Sequence, residues 1–156
     1  LSCIDSRTSA ELIFDQGLGD IFSIRIAGNF ANQDILGSME FACNVAGSKL
    51  VVVLGHTKCG ALKGGLDAPQ IEGLGMDNLN HLIYHFEPCI HAIIKEGEER
   101  SSKNEDLLDR LTLCNIQKTI EDIRHQSSTL RNLEKEGKIK IVGANYDVET
   151  GVVTWL

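Results

Sequence analysis

Apolar residues along this chain come in two patterns that alternate: short continuous runs, and longer stretches where they recur at helical spacing. Leu50-Val51-Val52-Val53-Leu54 is the clearest continuous run, free of charge and of strand length. Leu1–Cys3, Ile21–Ile26 and Lys138–Val142 read as further strands, and Val152–Leu156 as a short last one. Residues 32–46, 76–96 and 104–126 carry the helical pattern, as in Leu108, Leu111, Ile116, Ile120 and Ile123, and predict helices. Thr8-Ser9-Ala10-Glu11 has the spacing of a capping box and predicts a helix beginning just after Arg7. Continuously apolar strands joined by helices must be covered on both faces. The expected fold class is therefore α/β: a mostly parallel β-sheet of about four parallel strands plus an antiparallel edge strand, flanked by helices in right-handed connections. The antiparallel edge follows from the turn at Thr150-Gly151. No internal repeat is visible, Leu66–Gly75 reads as a glycine-rich surface loop, and residues 1–156 are expected to form a single domain.

Composition narrows the function classes. At 156 residues the chain can bury roughly two thirds of its unfolded surface around one core. With 22 acidic against 15 basic residues the net charge is -7, which supplies no electrostatic footprint for nucleic acid or an anionic membrane surface. No apolar run approaches the ~20 residues a membrane helix needs. Five cysteines make an odd count, unlike a disulfide framework. Cys43, Cys89 and Cys114 sit in apolar helical contexts and read as small buried hydrophobes. A reducing, cytoplasmic setting is expected. Leu1 is not an initiator Met and Cys3 arrives before a strand of normal length can precede it, so residues upstream are expected. A leader peptide would lie there, which leaves periplasm or an organelle open.

Two short strings carry the chemistry. Cys3-Ile4-Asp5-Ser6-Arg7 and His56-Thr57-Lys58-Cys59-Gly60 each end an apolar stretch. Cys3, His56 and Cys59 offer two thiolates and an imidazole, a soft set suited to zinc that leaves a tetrahedral ion one position short. Three ligands plus Asp5, an acidic residue two positions beyond Cys3, point to a catalytic metal and away from a closed structural one. Taken one motif at a time, a duller account holds: Cys3 as a core residue, and Asp5-Ser6-Arg7 as a helix cap with an ion pair. A structural zinc site is the other alternative. His56-x-x-Cys59 lacks the second cysteine of a redox motif.

The pair of motifs, C-x-D-S-R followed by H-x-x-C-G, resembles the zinc signature of the β-class carbonic anhydrases. The likeness extends to Glu11–Gly17, Arg25-Ile26-Ala27-Gly28-Asn29, Asn115-Ile116-Gln117 and Gly143–Gly151, and so to nearly the whole chain. It implies one Zn2+ per chain on Cys3, His56 and Cys59, and reversible hydration of CO2 to bicarbonate by hydroxide on that zinc. Asp5 either binds the metal in a closed state or turns away to pair with Arg7, and the two are the catalytic candidates. The resemblance also implies a homodimer or a dimer of dimers. Arg25 matches an arginine that in one subtype shares a noncatalytic bicarbonate pocket with a tryptophan, at a position that precedes Leu1 here. A family glutamine that enters the partner's pocket, and long helices that wrap the other subunit, would also precede Leu1. Related enzymes of the same fold act on CS2 or COS, and a zinc-stabilised binding module closed by Asp5 is the reading from another class.

Other donors are read as structure. His81, His85 and Cys89 share a helical face, but Pro88 interrupts the helix and Leu82, Ile83 and Phe86 mark a packed surface. His91 and His125 are isolated. Gly64-Gly65 lacks the Lys-Ser/Thr of a phosphate loop.

Overall fold

The computed structural model describes residues 1–68 and 75–156, and the predicted loop Leu66–Gly75 lies largely outside them. Helix α1 (Ala10–Ile13) is a single turn, followed by α2 (Gln33–Glu40), a widened turn at Phe41–Val45, strand β1 (Leu50–His56) and α3 (Gly60–Leu66). Next come α4 (Asp77–Ile83), a tight turn at Tyr84–Phe86, α5 (Glu87–Ile93), the long α6 (Glu105–Gln126), α7 (Ser128–Lys135), β2 (Lys140–Tyr146) and β3 (Val153–Trp155).

β1 and β2 pair in parallel from Leu50↔Lys140 to His56↔Tyr146, and β3 returns antiparallel along the other edge of β2. The α/β class and the antiparallel edge strand stand. The expectation of about four parallel strands is corrected: the first two shrink to single bridges, Ser2↔Arg25 and Ser2↔Leu54, both parallel. Leu1–Cys3 is too short to sustain a ladder. Ile21–Ile26 is joined to the amino-terminal segment through Ser2, by Ser2 N–H to Ile24 O (2.9 Å) and Ile26 N–H to Ser2 O (3.1 Å). Sequence order still becomes spatial order that matters, because Ser2 is tied at once to the Arg25 segment and to the end of β1.

Helix α6 covers the β1–β2 seam. Asn104 caps it by accepting from Leu107 N–H (3.1 Å), and its buried stripe includes Leu107, Leu111, Asn115, Ile116, Thr119 and Ile123. Ile116 lies so close to the strands that a Cβ at Gly55 would come within 2.5 Å of its Cδ1, and one at Gly143 within 2.8 Å of its Cγ2. Glycine at both positions is what lets the helix settle onto the sheet.

The helices differ from the expected pattern in local detail. The stretch 32–46 is helical from Gln33 to Val45, as expected, with its last turn at Phe41–Val45 widened. The stretch 76–96 breaks at Tyr84–Phe86 and resumes with Pro88 in the first turn of α5, where its missing N–H costs nothing. Helix α7 was not expected, since only Leu130 and Leu133 mark its inner face. Ser127 ends α6 and starts α7 by accepting from Leu130 N–H (3.1 Å). Among the described residues, no helix is long and apolar enough to cross a membrane.

Candidate metal centre

Three segments converge at the carboxyl end of β1. Cys3 follows the bridging residue Ser2, His56 is the last residue of β1, and Cys59 is the N-cap of α3. Lys58 between them adopts φ +57°, a left-handed kink that turns the chain sharply enough for His56 and Cys59 to face one centre. All three donors are buried, and their ligand atoms lie within 4.8 Å of one another. Among the described residues they form the only such group of His, Cys, Asp or Glu.

The donor set fits a divalent soft-borderline ion. Cys3 Sγ and Cys59 Sγ stand 3.8 Å apart. His56 Nδ1 lies 2.9 Å from the Thr57 carbonyl, which can only accept, so Nδ1 carries the proton. Nε2 then keeps its lone pair and is buried without a hydrogen-bond partner. An orphaned imidazole nitrogen aimed at two sulfurs, with its other nitrogen held by a carbonyl, is the arrangement that metal-binding histidines adopt. Without an ion the two thiols share a proton unequally. Cys3 is pushed down, chiefly by the Cys59 thiol and then by His56 and the N–H groups of Gly28 and Asp5. Cys59 is pushed up by Cys3 and by burial.

Asp5 is not part of this trio. Its carboxylate is held by Arg7 through a bidentate fork, Nε to Oδ1 (2.9 Å) and Nη2 to Oδ2 (2.7 Å), with Arg7 N–H adding a third bond at 3.0 Å. The guanidinium keeps the carboxyl well below the usual carboxylate range. Of the predicted ligands Cys3, Asp5, His56 and Cys59, the fold thus gathers three and turns the fourth toward Arg7.

Several supporting groups were not visible in the sequence as such. Gly28 N–H donates to Cys3 Sγ (3.4 Å) from a residue at φ +76°, and a Cβ there would meet Phe86 Cζ at 2.2 Å. The backbone can approach the sulfur only because this residue is glycine. Arg25 donates to the carbonyls of Cys3 (2.8 Å) and Asp5 (2.6 Å). The β2–β3 turn is latched to the metal loop by Thr57 N–H to Tyr146 O, Val148 N–H to Thr57 Oγ1 and the Lys58–Glu149 ion pair.

The remaining donors behave as packing groups. His85 stacks on Phe30 with ring centroids 4.0 Å apart, and His81 meets His85 edge-on at 5.4 Å. Cys43 and Cys89 are buried and pushed up by burial, Cys114 packs against the core, and all five cysteines are free thiols. His91 pairs with Glu87 at 3.3 Å.

A mixed sheet with a buried Cys-His-Cys trio at the carboxyl end of its parallel strands defines an α/β protein with a candidate metal-binding centre. The family model described as Carbonic anhydrase matches residues 1–153. Carbonic anhydrase 2 of Mycobacterium tuberculosis is 33% identical over 149 residues, spanning 96% of this chain and 69% of that protein. Among solved structures, the β-carbonic anhydrase CcaA superposes with TM-score 0.85 at 26% identity, over 99% of this chain and 76% of that one. CafA of the fungal pathogen Aspergillus fumigatus gives TM-score 0.85 at 26% identity, over 99% and 72%. The chain belongs to the β-class carbonic anhydrase family, a family of lyases.

Proposed function

We propose that this enzyme catalyses the reversible hydration of CO2 to bicarbonate and a proton, with one Zn2+ held by Cys3, His56 and Cys59. The observation that carries the reading is the Asp5–Arg7 fork, which takes the nearest carboxylate out of the donor set and leaves three ligands. When bound, zinc supplies Lewis acidity that brings the pKa of a coordinated water down from ~15.7 toward ~7. The protein's own part is positional. Thr57 O fixes the His56 tautomer, and the Gly28 N–H stabilises the Cys3 thiolate. Arg7 keeps Asp5 ionised, so that its carboxylate is available only as a hydrogen-bond acceptor that orients the nucleophile. Buried apolar neighbours such as Leu62, Phe86 and Leu111 limit water around the donors. Stopped-flow CO2 hydration, with zinc content measured on the same sample, tests this. Zinc-loaded protein that leaves CO2 hydration at the uncatalysed rate would overturn it.

The same reading includes association of two copies. β3 is the free edge of the sheet, and Phe14, Phe22 and Trp155 line an apolar groove of about 560 Å3 beside it. Leu12, Leu18, Phe41, Val45 and Leu50 are exposed as well, and a free strand edge is a ready template for pairing with another chain. A second copy of the chain is the occupant we assign to this face. Sedimentation velocity is expected to show a dimer or a dimer of dimers, and a fully active monomer would refute the assignment.

A further inference from the structure

Thr8 is 1% exposed, and a buried hydroxyl needs partners. The capping-box spacing of Thr8-Ser9-Ala10-Glu11 gives it an obvious one, the N-terminus of α1, but the structure does not use it. Ser9 is the N-cap, it makes no side-chain cap bond, and its hydroxyl donates instead to Glu11 Oε2 (3.2 Å). The Thr8 hydroxyl faces the other way. Its proton is shared between the carbonyls of Cys3 (3.1 Å) and Asp5 (2.9 Å), and its oxygen accepts from Arg25 Nη2 (3.3 Å). Thr8 N–H also closes on Asp5 O at 3.0 Å.

These two carbonyls flank the Ile4–Asp5 peptide, within the turn that presents Cys3. Arg25 bonds the same two carbonyls from the opposite side of the sequence. The turn that presents Cys3 is thus pinned at both ends by one hydroxyl and one guanidinium, and neither side chain is placed among the metal ligands. We propose that Thr8 is a positioning residue for the metal centre: with Arg25 it fixes the Cys3–Asp5 turn so that the Cys3 sulfur stays aimed at His56 and Cys59. The inference rests on the zinc reading above but not on the reaction assigned to it.

Groups that orient a metal ligand typically change metal affinity when removed, by roughly 10- to 100-fold. Thr8→Val keeps the side chain's shape and deletes the hydroxyl, whereas Thr8→Ser keeps the hydroxyl and deletes a methyl. Zinc affinity is measured by competition with a chromophoric chelator, and the cobalt-substituted proteins are compared by their thiolate-to-metal absorption. Thr8→Val is expected to bind zinc about 10- to 100-fold more weakly with an altered cobalt spectrum, and Thr8→Ser to stay within about threefold of the parent. Parental affinity and spectrum in Thr8→Val, or an equal loss in Thr8→Ser, would overturn the proposal. If Thr8→Val does not fold, the comparison moves to Thr8→Ser against Thr8→Ala: weaker zinc binding in the alanine variant alone supports the role, and equal binding removes it. A parent protein that binds zinc yet fails to hydrate CO2 would sink the activity while leaving this assignment to stand or fall on the chelator data.

Discussion

Cys59→Ser, Cys3→Ser and His56→Ala are each expected to reduce bound metal from about one zinc per chain to a small fraction after dialysis. Cys59 is fully buried at the start of α3, and Cys3 is nearly so, so a serine hydroxyl there offers a hard, protonated oxygen where the ion wants a thiolate. His56→Ala removes the nitrogen that has no other partner. Leaving that buried acceptor unsatisfied costs about 1–3 kcal/mol, which is relieved when an ion binds. Chelation should therefore lower the melting temperature of the parent and do little to the variants. Atomic absorption or inductively coupled plasma analysis checks the stoichiometry. Full zinc retention in any two of the three variants would remove the ligand assignment.

What the sequence reveals and conceals follows from how each residue acts. Cys3, Asp5, Arg7, His56 and Cys59 were legible because their chemistry lies in the side chains and their spacing is short. The Gly28 N–H on the Cys3 sulfur was not, since a backbone donor carries no residue signature; its trace is a glycine that Phe86 crowds. Thr8 was misassigned, because a threonine three positions before a glutamate is read forward to a helix while its hydroxyl bonds backward. Among strands, Leu50–Leu54 was plain, but β1 runs on through Gly55 and His56, polar or small residues that pair with Asn145 and Tyr146. β2 was started two residues early and ended four residues short for the same reason: Gly143-Ala144-Asn145-Tyr146 is strand by pairing and by contact with α6, not by apolar pattern. The two amino-terminal strands were overcalled because an apolar stretch does not reveal how much partner backbone it will meet. Helix α7 was missed because a Ser127 cap and two leucines are too little periodicity to stand out.

The Asp5–Arg7 pair separates a catalytic centre from a structural one. Arg7→Ala frees the carboxylate from the fork that now engages both of its oxygens, and Asp5 then has the metal as its nearest strong partner. Zinc content should stay at the parental level while kcat/KM falls by about 100-fold, the order of loss that misplacing one catalytic group causes. Asp5→Ala should likewise keep zinc, because its three ligands are untouched, and lose activity because nothing orients the nucleophile. The pH dependence has a definite sign. Arg7 holds the Asp5 pKa below its unfolded value of ~3.9, so the stability that pair contributes is present above that value and is lost only as pH falls through the lower folded one. From about pH 6 to about pH 9 Asp5 is ionised throughout, and a rise in CO2 hydration across that range reports the acidity the ion creates, not the carboxylate. Asp5→Ala that releases zinc, together with a parent showing no CO2 hydration at any pH, would make the metal structural and the catalytic reading wrong.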